Sequence, residues 1–343
     1  ATLAQLVAFH AEYARADAPA RVSHVGEELL GATLLAFGTE AQRQRFLPGI
    51  KNVTELWCQG YSEPGAGSDL AAVTTTARLD GDHYVLSGTK QFISGGGVND
   101  IYVCMVRTGE HKTRGISCLV IEKDTPGLSF GAPEKKLGWN ASPTAQVIFE
   151  DCRVPVDNRV GAEGEGFKFA MAGLDGGRLN IAASALGGAQ AALDRTVAYM
   201  GERKAFGKTL DQFQALQFRL AEMEVALQSA RTFLRQAAWK LDNKAPDATK
   251  FCAMAKLYVT DRAFEVANQC LQLHGGYGYL ADYGIEKIVR DLRVNRILEG
   301  TNEIMRVIIG RNVLSGTGCH SVGGSVDVDR GADGDLVEQR HHR

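Results

Sequence analysis

Long apolar runs are missing from this sequence. No stretch approaches the roughly 20 residues that a helix needs to cross a bilayer, so a membrane span is not expected. Charge of one sign is scarce too. Net charge is -2, so no global basic field argues for nucleic acid or an anionic membrane as partner. The seven cysteines, at 58, 104, 118, 152, 252, 270 and 319, form no CxxC pair. Metal-ligand spacing is therefore absent, and a reducing compartment without disulfides is the simplest reading. Nucleotide-loop signatures fail as well. Gly65 and Gly67 are followed by no Walker lysine, and they lack the spacing and the βαβ setting of a dinucleotide fingerprint. Gly95-Gly96-Gly97 leads into an apolar run rather than a helix. The start, Ala1-Thr2-Leu3-Ala4, has neither signal-peptide nor Arg-rich transit character and lacks an initiator Met, so upstream sequence is expected to have been removed.

What is present suffices for two or three domains in 343 residues. Residues 1–55 read as helix. Leu3, Leu6, Phe9 and Tyr13 recur at helical spacing, and Gly38-Thr39-Glu40 marks a stop and a restart. Residues 56–160 change character to short strand-like runs, clearest at Tyr84–Leu86, Ile101–Val106, Ile116–Ile121 and Ala145–Phe149. Cys58, Cys104, Cys118 and Cys152 lie in or beside these runs, where a thiol acts as a small core residue. Helices return from Gly161. Leu216, Leu220, Met223 and Leu227 form one seam, and Leu257, Val266, Ala267 and Leu271 continue the theme. Such seams imply a bundle, and leftover apolar faces make oligomers plausible. Residues 315–343 are Gly-rich and polar and read as a disordered tail, with His341-His342 as tail composition.

Five segments carry candidate chemistry. In Gln59–Asp69 (QGYSEPGAGSD), Gly65 and Gly67 allow close backbone approach to a ligand, and Ser62 and Ser68 add hydroxyls. The alternative is a plain glycine turn between domains. Leu174-Asp175-Gly176-Gly177-Arg178 reads as a helix cap, with Arg178 entering the next helix. Arg203–Lys208 (RKAFGK), followed by Gln214, places cations around a glycine turn, which suits a pyrophosphate or a solvated surface. Gln272–Tyr279 (QLHGGYGY) combines a helix C-cap with glycines open to a ligand, and His274 reads as structural. Finally, Ile297–Arg306 (ILEGTNEIMR) sets Glu299 on a glycine hinge before a Thr/Asn helix start. A carboxylate held between Ile297 and Leu298 can lose water and gain basicity, as a general base for a carbon-bound proton requires. The bland alternative is a favourable charge at a helix N-terminus.

In this order, YSEPGAGSD, KQFISGG, RKAFGK, QLHGGYGY and ILEGTNEIMR resemble the acyl-CoA dehydrogenase family, over about residues 56–314. From about Tyr84 onward LSFGAPEKKLGWN, VIFEDCRVP, GGRLNIA and LHGGYGYLADY resemble the branch that acts on isobutyryl-CoA, whereas ELWCQGYSEPGAGSD is closer to a bacterial branch. The resemblance implies an α+β multi-domain fold. It comprises an N-terminal helical domain at 1–55, truncated relative to the family, a middle β-domain at 56–160 and a C-terminal four-helix bundle at 161–314. It also implies an FAD cofactor, an acyl-CoA substrate, electron-transferring flavoprotein as partner and a homo-oligomer, either dimer or dimer of dimers. The implied setting is a mitochondrial matrix or a bacterial cytoplasm, in branched-chain amino-acid or fatty-acid breakdown.

Residue by residue, the resemblance makes Glu299 the base that removes the α-proton while the β-hydride goes to the flavin. Tyr61, Ser62, Gly67 and Ser68 would line flavin and acyl-CoA, and Phe92, Ile93 and Ser94 would pack on the flavin. Arg203, Phe206 and Gln214 would reach the FAD of a neighbouring subunit. Gln272, Gly275 and Gly276 would hold its adenine end, and Thr301 and Glu303 its pyrophosphate region. Asp175 and Arg178 would face CoA, and Gly300 with Ser68 would touch substrate. Gly177 stands where another branch of the family carries its base, and Leu298 fits a short, branched acyl group. Alternative readings are a straight short-chain or 2-methylbutyryl-CoA dehydrogenase, an oxidase, or a catalytically impaired flavoprotein-like subunit, the last motivated by the short N-terminal domain.

Overall fold

The structure, a computed structural model, describes residues 1–19 and 21–316. The expected tail therefore lies outside the described residues, except that 315 and 316 close the last helix rather than opening an irregular segment.

Three α-helices lead: α1 (Leu3–Arg15), α2 (Gly31–Phe37), entered through a π-helical turn at Gly26–Leu30, and α3 (Glu40–Asn52). Thr39 caps α3 and shares a capping box with Gln42, as the Gly38-Thr39-Glu40 signal implies. The Gln42 amide also donates to the carbonyls of Asp157 and Arg159, tying α3 to the sheet. The buried face of α1 is Val7, His10 and Ala11, not the expected Leu3, Leu6, Phe9 and Tyr13 stripe. The reason is close packing: the Ala11 carbonyl lies where a β-carbon on Gly187 would be, so the small residues of α1 must face inward.

Eight strands follow: β1 (Trp57–Gly60), β2 (Thr76–Asp80), β3 (His83–Ser94), β4 (Ile101–Arg107), β5 (Ile116–Glu122), β6 (Leu128–Phe130), β7 (Thr144–Pro155) and β8 (Arg159–Val160). They form one sheet in the order β6-β7-β3-β2-β4-β5-β8, with β1 parallel to β4. The continuous apolar runs of β4 and β5 reflect burial on both faces. Ile101, Val103 and Met105 join a core shared with α2, α3 and the Phe169–Ala170 turn of the next helix. Tyr102, Cys104 and Val106, which alternate with them, join a second core on the opposite face.

The C-terminal part contains α4 (Gly166–Glu202), a short hairpin of β9 (Lys204–Ala205) and β10 (Lys208–Thr209), α5 (Gln214–Asp242), α6 (Ala248–His274), α7 (Ile285–Arg293) and α8 (Asn302–Gly316). Met223 and Leu227 are buried in the bundle core, with Leu216 and Leu220 at its margin, as their seam implies. In α6 the inward face is Cys252, Val259, Ala263, Val266, Ala267 and Cys270, and Leu257 is only half-buried. Here small residues, not the largest apolar ones, face the neighbouring helices. The cap expected at Asp175–Arg178 does not form. α4 runs unbroken through Gly176 and Gly177, although each interior glycine costs about 1 kcal/mol of helix propensity.

Candidate active site

The turn that presents Glu299 is built from two consecutive left-handed residues. Glu299 has φ 55° and Gly300 φ 85°. Glycine tolerates this conformation freely, whereas a glutamate in it is strained. Thr301 then caps α8 through its hydroxyl, which accepts the Ile304 N–H. The Thr/Asn helix start read from the sequence is therefore present.

Burial of the carboxylate has a different source from the one expected. Ile297 is 51% exposed and does not shield it. Glu299 instead points at α4. A β-carbon built on Gly177 would lie 2.7 Å from Glu299 Oε2, so the missing side chain is what makes room for the base. Oε2 is buried and has no hydrogen-bond partner. Burial pushes the Glu299 carboxyl above its ordinary range, and the nearby Arg178 and Lys256 cations hold that rise in check. Tyr61, buried after β1, also feels the Glu299 charge. The structure thus brings Tyr61, Gly177, Arg178 and Glu299 together from three segments.

Arg178 is not the solvated residue that a cap would give. Its guanidinium is buried and donates to Asp175 at 2.6 Å, and the second Asp175 oxygen accepts from the Thr249 hydroxyl at 2.6 Å. Both Asp175 oxygens are thus engaged by side chains of the same chain.

The YSEPGAGSD segment makes a tight turn, with Glu63 and Ala66 exchanging backbone hydrogen bonds. Glu63 anchors it. Its carboxylate accepts from the Thr74 and Thr75 N–H groups, the Thr74 hydroxyl and the Lys90 ammonium at 2.8 Å. Burial alone would raise this carboxyl; Lys90 and the hydrogen bonds outweigh it and bring it down to about 2. The exposed side of the turn carries Gly65, Gly67 and Ser68, with open space where β-carbons of the two glycines would be. Ser62 is half-buried at its base. On β3, Phe92 stands 68% exposed in a left-handed conformation, φ 60°. Its neighbour Ile93 is buried in the sheet core, so its side chain does not reach that surface; Ser94 is half-buried.

A second constellation gathers the RKAFGK and QLHGGYGY segments. A cleft of about 600 Å³ is lined by Arg203, Gln272, Gly275 and Gly276, with Tyr199 and Tyr277 beside them. Arg203 lies over the Tyr277 ring at 5.2 Å. Gly275 caps α6 with φ 59°. His274 is structural, as read: its ring stacks on Tyr199 at 4.3 Å and Nδ1 meets the Cys270 carbonyl at 2.8 Å. Phe206, at the hairpin tip, is 95% exposed, and Gln214 is exposed at the start of α5. Thr301 is half-buried and Glu303 exposed on the first turn of α8.

Two lysines were missed by sequence reasoning. Lys90 and Lys256 are both fully buried. Lys256 shares the helix face of Cys252, Val259 and Thr260, so its place on the apolar face was a readable signal.

The structure thus holds a buried carboxylate oxygen without a hydrogen-bond partner and two open glycine-rich surfaces, features suited to taking a proton and to binding a flavin. The residues present fit that group: unobstructed glycines at 65, 67, 275 and 276, an exposed Phe92 and the cationic Arg203 suit a ring system and a pyrophosphate. The family descriptions for acyl-CoA dehydrogenase N-terminal, middle and C-terminal domains match residues 1–53, 58–152 and 164–314. Over 278 residues the chain is 52% identical to "Isobutyryl-CoA dehydrogenase, mitochondrial" of Dictyostelium discoideum, covering 81% of this chain and 67% of that protein. Among solved structures, an acyl-CoA dehydrogenase from Geobacillus kaustophilus matches with a TM-score of 0.87 at 37% identity, covering 91% of this chain and 83% of that one. A chain in the structure titled for the electron transferring flavoprotein of Acidaminococcus fermentans matches with a TM-score of 0.81 at 43% identity, covering 84% and 76%. The chain belongs to the acyl-CoA dehydrogenase family, and is an FAD-dependent oxidoreductase.

Proposed function

We propose that this protein dehydrogenates a short, branched acyl-CoA, isobutyryl-CoA, between its α and β carbons, as a step of valine breakdown. Glu299 takes the α-proton. The observation that carries this reading is the buried Glu299 Oε2 without a partner, in a space opened by Gly177. A carboxylate so placed has raised proton affinity and no hydrogen bond to break before it acts.

FAD would be held by Gly65, Gly67, Ser68 and Phe92 and by Gln272, Gly275 and Gly276, and would supply the hydride acceptor. The chain's own residues do the rest. The left-handed Glu299–Gly300 turn fixes the carboxylate against α4. Tyr61 is buried within reach of the Glu299 charge, and the aliphatic Leu298 that precedes Glu299 is compatible with a compact acyl group. Arg178 and Lys256 oppose the rise in Glu299 proton affinity that burial causes. The fully exposed Phe206 and the neighbouring Arg203 and Gln214 fit contact with a second subunit's cofactor, hence a dimer or a dimer of dimers. Electron-transferring flavoprotein is the fitting acceptor, and a mitochondrial matrix or a bacterial cytoplasm the fitting setting.

The test is the visible spectrum of the FAD-loaded protein mixed anaerobically with isobutyryl-, n-butyryl- and 2-methylbutyryl-CoA. Isobutyryl-CoA is expected to bleach the flavin fastest. Bleaching by n-butyryl-CoA alone would sink the branched-substrate reading.

A further inference from the structure

Lys256 lies in the N-terminal third of α6, fully buried, and no step above needs it as a reactant. A buried ammonium survives only where acceptors replace its water. Its Nζ donates to the Gly300 carbonyl at 2.8 Å and to Asn302 Oδ1 at 2.9 Å. These acceptors are in the left-handed turn itself and at the first residue of α8. Asn302 is pinned in turn: its amide donates to the Thr260 hydroxyl at 3.1 Å and to Asp261 at 2.9 Å. Asp261 also holds Arg296, at 2.6 Å, and Arg306. A connected polar network from α6 therefore grips the Glu299 turn just after the base.

We infer that Lys256 is a positioning residue for proton abstraction: its ammonium clamps the Glu299–Gly300 turn through the Gly300 carbonyl without bonding to the carboxylate. This rests on Glu299 being the base. The charged groups facing Lys256 are Glu299, Arg178 on α4, Asp261 on α6 and Glu303 on α8; those facing Glu299 are Arg178 and Lys256. Burial brings the Lys256 ammonium down to about 8, offset in part by Glu299, so the clamp loses its charge within an accessible pH range. Bonding directly to the carboxylate would tie up the lone pair that must take the proton. Bonding to the carbonyl next to it supplies charge and position and leaves that lone pair free.

The experiment compares Lys256→Met and Lys256→Arg with wild type as FAD-loaded full chains, with Glu299→Gln as reference. Lys256→Met is expected to lower kcat for isobutyryl-CoA at least about tenfold, with KM little changed, and to move the acid limb of the rate up by about one pH unit, at the low end of a neighbouring opposite charge. Lys256→Arg should restore the acid limb and lose the alkaline limb near pH 8, because a guanidinium does not titrate there. A readout free of turnover is the carbon-13 titration of Glu299 Cδ, assigned by its loss in Glu299→Gln; its midpoint should rise in Lys256→Met. If Lys256→Met does not fold, Lys256→Gln is read in the same way. A wild-type acid limb and an unmoved Glu299 midpoint in a folded, charge-less variant would overturn the inference. Unimpaired bleaching by Glu299→Gln would instead overturn the base assignment, a separate result.

Discussion

Glu63 and Lys90 meet at 2.8 Å inside the sheet domain, whereas Glu299 and Lys256 share a turn in which the lysine grips a carbonyl and leaves a carboxylate oxygen bare. Both sites are buried, both use one glutamate and one lysine, and both sit at a glycine-bearing functional segment. In the first, four donors converge on the carboxylate and bring its pKa to about 2, so it is an inert anchor. In the second, burial acts on a carboxylate whose cations are near but not bonded, and its proton affinity rises. A carboxylate's proton affinity is thus raised by withholding partners as much as it is lowered by supplying them.

The contrast can be broken most sharply at Glu299. Glu299→Gln keeps the shape and removes the base; flavin bleaching should slow about 10³-fold, within the range for a general base. Stopped-flow absorbance reads this, and the melting temperature should hardly move. At the anchor the consequence should reverse. Lys90→Met leaves Glu63 buried without its cation, and urea unfolding should report a loss of about 3 kcal/mol, the low end for a broken buried pair.

The pH dependence of stability sharpens the same contrast. Glu63 has a folded pKa of about 2 against an ordinary 4.5. Its contribution is therefore present above pH 4.5 and lost as pH falls from there to about 2. Lys90→Met should remove most of that slope from a plot of urea midpoint against pH. Glu299 has the opposite sign: its folded pKa is raised, so protonating it costs the fold nothing but stops the base, and activity falls with acid before stability does. The smallest effect belongs to Gly177→Ala. The new methyl would meet Glu299 Oε2 at 2.7 Å and swing the carboxylate aside. Turnover should fall about tenfold, less than a full ångström of misplacement costs. Unfolding free energy should stay level or rise, since alanine suits the helix better.

Much of this was legible. The short apolar runs of β4 and β5, the Thr39 and Thr301 caps and the Gly275 helix stop follow from local rules that one segment contains in full. The five motifs and their order gave the family. Three features were not legible. Asp175–Arg178 looked like a cap because Gly-Gly usually ends a helix, but bundle packing carries α4 through it. Ile297 looked like a shield for Glu299 because it is adjacent in sequence, yet its side chain faces solvent. The burial of Lys90 and Lys256 was not legible, because the acceptors that make it tolerable come from other segments.

By itself the sequence determined the element types and the helix–sheet–helix order and pointed to Glu299 as the candidate base, since period, caps and motif spacing are local properties of a chain. Only the tertiary structure decided what Glu299 can do. Its proton affinity depends on Gly177 of α4, Arg178 of α4 and Lys256 of α6, which lie more than 40 residues away along the chain. Electrostatics and desolvation act through space, so residues distant in sequence set the chemistry of a carboxylate that the sequence could only point to.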